Sequence, residues 1–218
     1  MHDGFGNQTF QRGQVEHALW HALYRNRGLM PASWSNWVRR LLDIDRHDRG
    51  VAKSGLEVAR YAFIDEVPAG AGVDHRFSAF NAFCLGVAIE MSDAGFAQSE
   101  IIFLIRHIRT KLERIFSQCL NRPMKPHQRV ADDEDERHWM VLERIHLHKP
   151  MTDSQGRAVK GAHFSVPTFA SGAKALMVEI QNMGHSYRKA YIQEFSRLVL
   201  DLNQTLQVAP VVKRGRKS

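Results

Sequence analysis

Twelve histidines stand in this chain of 218 residues. Imidazole is the side chain most often recruited for proton transfer and metal binding near neutral pH. Spacing decides whether such chemistry follows. His146 and His148 are two residues apart, so in a strand both rings project from one face. His138 or His163 would complete a metal site from elsewhere in the chain. No HExxH sequence, no cysteine pair at zinc-finger spacing and no glycine-rich phosphate loop accompanies them. Histidines on a strand surface are therefore the expected role, with no metal and no cofactor. Asp132–Glu136 is an acidic run without ligand spacing and reads as a solvated linker. Serine and histidine occur, but nothing orders them into a nucleophile and its base. An enzyme is not expected.

Arginine offers the other chemistry. The formal charge is +7, which permits binding to a polyanion without establishing it. Residues 1–121 are close to balance, with 14 Lys/Arg against 13 Asp/Glu. The rest carries the surplus, and four of its bases lie in the last six residues: Lys213, Arg214, Arg216 and Lys217. Arg39, Arg40 and Arg46 cluster within one predicted helix. Such a cluster can hold phosphates and read guanine edges. It can equally be a solvated face, with Asp43 pairing to Arg39 and Arg40 at i,i+4 and i,i+3 spacing.

The elements that must position these residues follow from periodicity. Val15, Leu19, Ala22 and Leu23 give residues 11–24 one apolar helical face, closed by Gly28. Trp34, Trp37, Val38, Leu41 and Leu42 do the same for a helix from Ala32 to Arg46. A short turn joins the two, as in a helix-turn-helix. Residues 61–65 and 73–77 read as strands across the turn Pro68-Ala-Gly-Ala-Gly, the size of a wing hairpin. Ser78 is expected to cap a helix over 79–94, and Gly95 to end it. A long helix follows over 98–120. Beyond it, 139–148 and 174–181 read as strands and 186–206 as an amphipathic helix.

The stretch Arg76-Phe77-Ser78, a helix through Met91, Ala94-Gly95-Phe96 and Gln98-Ser99-Glu100-Ile101 resembles the MerR family of transcription regulators. About 40 residues carry the likeness. The family's aromatic-Tyr-Tyr-Glu recognition helix and Gly-Leu-Leu-x-Pro wing have no counterpart upstream. The resemblance implies a winged helix-turn-helix that binds DNA. Arg39, Arg40 and Arg46 would lie on the recognition helix, Lys53 and Arg60 against the backbone, and His75 and Arg76 on the wing. The long helix would dimerise through Ile101, Leu104, Ile105, Ile108, Leu112 and Ile115. The tail also resembles an AT-hook around Arg214-Gly215-Arg216, with Lys217 where that motif has proline. Such a tail would lie in a narrow minor groove or add nonspecific phosphate affinity.

The expected fold is mainly α with small β elements. A winged-helix-like domain over 1–121 would be followed by a charged linker (122–136), an α+β sensor or dimerisation module (137–206) and a basic tail (207–218). The expected partners are DNA and a second copy of the chain, with no membrane. No apolar run approaches the roughly 20 residues of a spanning helix. The N-terminus has no secretory pattern. Cys84 and Cys119 sit in apolar helical patterns and read as free thiols of a reducing compartment, so a cytoplasmic or nucleoid location is expected. The alternative is a helical adaptor that binds protein through the stripe Ile101–Phe116. An RNA-binding protein is a third reading.

Overall fold

Residues 79–93, AFNAFCLGVAIEMSD, are apolar on every side, the pattern of a helix with neighbours all round. In the computed structural model this helix is central. Residues 8–24, 28–47, 61–66, 76–121, 137–143, 166–183 and 190–211 are described. Their elements are β1 (Phe10–Gln11), α1 (Arg12–Leu23), α2 (Ala32–His47), β2 (Arg76–Phe77), α3 (Ala79–Asp93), α4 (Gln98–Leu120), β3 (His138–Glu143), β4 (Thr168–Ser171), α5 (Ala173–Asn182), β5 (Ala190–Glu194) and α6 (Ser196–Val208). The protein is mainly helical with two small antiparallel sheets among these residues.

Helix α3 packs against α1, α4 and α6. Ser78 starts it by accepting the amide of Asn81 at 3.1 Å. Gly95 ends it at φ +86°, a conformation that strains any residue with a Cβ. Its amide and that of Phe96 return to the carbonyls of Ser92 and Met91. Glu100 then caps α4 from its third position, accepting the Ala97 amide at 3.3 Å. At the middle of α3, Gly86 lets two helices close in. A Cβ there would lie 3.0 Å from Leu19 Cδ2 on α1 and 3.5 Å from Leu198 on α6.

Strand β3 is the centre of the larger sheet, in the order β4-β3-β5. Trp139, Met140, Val141 and Leu142 are all buried, as a strand covered on both faces requires. Val141 sits opposite Thr168 on one side and Ile192 on the other. Leu142, Phe195, Leu198, Val199, Leu202 and Leu206 join one hydrophobic cluster with α1, α3 and α4. Phe83, Phe116 and Phe195 meet there, with ring centroids 5.4 and 5.6 Å from Phe83. The expected boundary between 1–121 and 137–206 thus does not separate two cores.

Four local expectations give way. Residues 174–181 are helical, within α5. None of α5 is buried, so no core rewards a strand, and the helix preference of Ala, Lys, Leu, Met and Glu prevails. The described part of the expected helix over 186–206 is instead β5 followed by the shorter α6, because residues 190–194 complete the ladder beside β3; residues 186–189 lie outside the described residues. The first strand of the expected wing hairpin does not form, and residues 67–75 of that hairpin lie outside the described residues. Residues 61–66 are irregular, and β2 pairs with β1, Phe77 opposite Phe10. Last, Ile101, Leu104, Ile105, Ile108, Leu112 and Ile115 are at most 5% exposed within the single chain. They face its own interior and leave no stripe for a second copy or another protein.

A shared core predicts shared unfolding. Leu202→Ala, at a site 1% exposed on α6, is expected to cost about 2–5 kcal/mol. Denaturant curves followed by tryptophan fluorescence and by helical circular dichroism should shift together in one transition. A surviving helical plateau after the first transition would show that the N-terminal half has a core of its own.

Candidate functional site

Helix α2 divides its side chains cleanly. Trp34, Val38, Leu41, Leu42 and Asp45 are buried, while Ala32, Asn36, Arg39, Arg40, Asp43, Arg46 and His47 are exposed. The exposed positions recur at three- and four-residue spacing, so they line one outer face of a rod ~24 Å long. Asn36, Arg39, Arg40, Asp43, Ile44 and His47 line an open groove of about 550 Å³. His47 Nδ1 donates to the Asp43 carbonyl at 2.7 Å. Arg46 and His47 fall in the last turn, where cationic side chains suit the helix dipole.

Both ends of α2 are fixed. Near its start, Trp34 stands edge-on to Trp20 of α1, with centroids 5.3 Å apart. Trp34 Nε1 donates to the Glu16 carbonyl at 3.0 Å, and Ser35 Oγ to Glu16 Oε2 at 2.7 Å. Near its end, Asp45 points inward and is 1% exposed. Its carboxylate accepts the Ala62 amide at 2.9 Å and the Phe63 amide at 3.1 Å. Arg106 of α4, itself 1% exposed, binds it through Nε at 2.9 Å and a terminal nitrogen at 2.8 Å. That arginine also donates to the Asp45 carbonyl. These bonds account for the irregular course of residues 61–66: the amides of 62 and 63 are engaged by a side chain, not by a neighbouring strand.

One helical turn further, Arg109 continues the link. It donates to the Ala62 carbonyl, to Asp65 Oδ1 at 2.6 Å and to Asn81 Oδ1 at 2.5 Å. Asn81 Nδ2 donates in turn to Asp65 Oδ2 at 2.8 Å. The guanidinium lies 4.9 Å from the Phe80 ring centroid, a cation–π contact. Residues 61–66 are thereby tied to α2, α3 and α4.

Of the residues expected to touch DNA, Arg39, Arg40 and Arg46 share the α2 face. Arg76 is exposed on β2, opposite Gln11. Lys53, Arg60, His75, Lys213, Arg214, Arg216 and Lys217 lie outside the described residues, as do His146, His148 and His163. Among the described residues, no three His, Cys, Asp or Glu side chains converge as metal ligands. None of the described helices is long and apolar enough to cross a membrane. Cys84 and Cys119 are buried thiols, and Cys119 Sγ donates to Ser196 Oγ at 3.6 Å. Burial pushes the Cys84 thiol up to about 12, so it remains protonated at neutral pH.

Sequence reasoning missed a second feature. The ends of α1 and α3, strand β5 and the start of α6 enclose an open cavity of about 740 Å³. Four acids line it: Glu90, Asp93, Glu194 and Asp201, with Tyr24, Tyr191, Gln193 and Arg197. Tyr24 donates its hydroxyl to Asp93, and Gln193 Nε2 donates to Glu90 at 2.6 Å. Burial raises the pKa of Glu90, and the charges of Glu194 and Asp93 push the same way against the Gln193 hydrogen bond. Burial also raises that of Glu194, opposed by the Arg197 amide, Arg137 and Ser196. Tyr191 is raised by burial and by Glu90 and Asp93. These residues come from four elements, so no spacing in the chain announces them.

No family model matches the chain, and no curated protein is significantly similar to it.

The buried link generates a contrast in stability. Asp45→Ala removes the carboxylate that the buried Arg106 guanidinium binds and is expected to cost about 3–5 kcal/mol. Asp65, whose side chain is 66% exposed, should behave as a surface partner, and Asp65→Ala is expected to cost about 1 kcal/mol or less. Urea midpoints for the two variants measure the difference. Equal losses would contradict the ranking.

Proposed function

We propose that the protein binds duplex DNA through the outer face of α2 and acts as a DNA-binding regulator or nucleoid-associated protein. The observation that carries this reading is the division of α2. Arg39, Arg40 and Arg46 are exposed on one face while Asp45 and Trp34 lock the opposite face to the core. A helix of this diameter fits the major groove. Rigid attachment lets its arginines reach phosphates and base edges without first ordering the backbone that carries them. Arginine to guanine O6 and N7 is the commonest specific contact of this kind.

The resemblance of about residues 76–116 to MerR-type regulators supports the same reading; α3, the Gly95-Phe96 turn and most of α4 make up that segment. The wing is not part of the proposal, and neither is dimerisation through α4. In this reading the basic tail, Lys213 to Lys217, adds phosphate affinity, and the site of action is the bacterial nucleoid. The adaptor reading loses its surface, because the stripe it needs is buried.

Mobility shift of the full chain against random and A·T-rich duplexes, over a salt series, tests this directly. Arg39→Ala/Arg40→Ala/Arg46→Ala is expected to weaken binding and to flatten the log K against log[salt] slope by roughly 0.9 for each phosphate no longer neutralised. Absence of binding at low salt overturns the proposal. Binding that survives the triple variant but disappears when 213–218 are removed assigns the affinity to the tail and overturns the role of α2.

A further inference from the structure

The exposed face of α2 is basic but not uniformly so. Its buried residues, Trp34, Val38, Leu41, Leu42 and Asp45, share one side of the helix. At ~100° of turn per residue, Asn36, Arg40, Asp43 and His47 fall within about 60° of arc on the opposite side. All four are exposed and line the same groove. They form the crest of the helix, the line that reaches deepest into anything α2 enters. Arg39 and Arg46, also exposed, lie about 70–90° away on one flank. The other flank carries the half-buried Trp37 and Ile44. Flanking charge is therefore one-sided, and the crest itself is mixed: an amide, a guanidinium, a carboxylate and an imidazole.

We propose that this crest reads base sequence, with Asn36 at adenine, Arg40 at guanine and Asp43 at cytosine, while Arg39 and Arg46 hold phosphates. The inference rests on the reading of α2 as the DNA-contacting helix and adds what that helix recognises.

Asp43 carries the argument. A surface built only to hold phosphates gains nothing from a carboxylate on its most protruding line, where like charges repel. A base edge is different. The cytosine N4 amino group donates into the major groove, and an ionised carboxylate only accepts. Asn36 has a donor and an acceptor, the pair that adenine N7 and N6 require. Arg40 presents two parallel donors, which guanine O6 and N7 accept. His47, at the end of the crest, is tied back to the Asp43 carbonyl through Nδ1 at 2.7 Å, and takes no base in this assignment.

Spacing agrees. At ~1.5 Å rise per residue, Arg40 lies about 6 Å beyond Asn36, and Asp43 about 4.5 Å beyond Arg40. Base pairs stack at ~3.4 Å, so the three side chains stand one to two steps apart and cover roughly four base pairs. The burial of Trp34 and Asp45 on the opposite side fixes the rotation of the helix, and with it which residues form the crest and which the flank.

Affinity and discrimination then separate by residue. The full chain is first used to select binding sites from a pool of randomised duplexes at about 0.15 M salt. Selected sites are expected to share adenine, guanine and cytosine within roughly four successive base pairs. Fluorescence anisotropy next compares a selected duplex with its single-base variants and a scrambled duplex. Arg40→Ala should lose roughly 5- to 150-fold of discrimination at the guanine and keep the other preferences. Asp43→Asn should bind the scrambled duplex more tightly than the parent does, and lose its preference at the cytosine. Arg39→Ala should weaken binding to every duplex alike, with the ranking unchanged and the salt slope reduced by about 0.9. All three positions are exposed, so urea midpoints close to the parent's are expected.

Duplex binding with no sequence enriched from the pool overturns the crest assignment alone and leaves α2 a phosphate-binding helix. Weaker binding of the scrambled duplex by Asp43→Asn, or a changed ranking in Arg39→Ala, overturns it too. Absence of all binding at low salt overturns DNA recognition by α2 and this inference with it.

Discussion

A buried carboxylate and guanidinium hold the N-terminal part of this protein in place. Asp45 and Arg106 are each 1% exposed. Removing two such charges from water is costly, and their mutual attraction offsets that cost only where the remaining hydrogen-bond capacity is filled. Here it is filled on the carboxylate side by two backbone amides and two guanidinium nitrogens. The pair does more than join two helices. By drawing in the amides of Ala62 and Phe63, it makes the course of residues 61–66 a consequence of α2 and α4. Through Arg109 and Asn81, it reaches α3 as well.

The orientation of α2 follows from the same link. Asp45 lies three and four residues after Leu42 and Leu41, on the inward side of the helix. With that side fixed, Arg39, Arg40 and Arg46 have no choice but to face outward. The opposite end of the molecule uses charge differently. Glu90, Asp93, Glu194 and Asp201 lie beside a cavity rather than in a closed network. Asp45 is held within a closed core. The cavity acids keep hydrogen bonds of their own, among them Tyr24 to Asp93 and Gln193 to Glu90, with burial raising the carboxyls of Glu90 and Glu194.

Much of the helical framework was legible from periodicity. The ends of α1, α2, α3 and α4 fall within a residue or two of expectation. Their signals are local: the Ser78 cap, the positive φ of Gly95 and apolar spacing at three and four residues. The apolar stripe of α4 was equally legible, but not its use. Periodicity tells which face is buried and is silent on whether the chain itself or a second chain covers it. Arg106 and Arg109 carried an available clue, since each lies within an otherwise apolar run, where charge is expected only with a partner.

The sequence by itself determined helices α1 to α4 and the basic outer face of α2, because each depends on neighbours one turn away. Tertiary structure alone decided the rest. Residues 173–182 became a helix because nothing packed over them, and 190–194 became a strand because β3 had an open edge. Residues 61–66 took an irregular course because a carboxylate 17 residues upstream holds the Ala62 amide. The single core and the acidic cavity arise from segments far apart in the chain, whose meeting no local pattern records. Arg39, Arg40 and Arg46 could be read as a surface from the beginning, but only the burial of Asp45 behind them explains why that surface is held rigid.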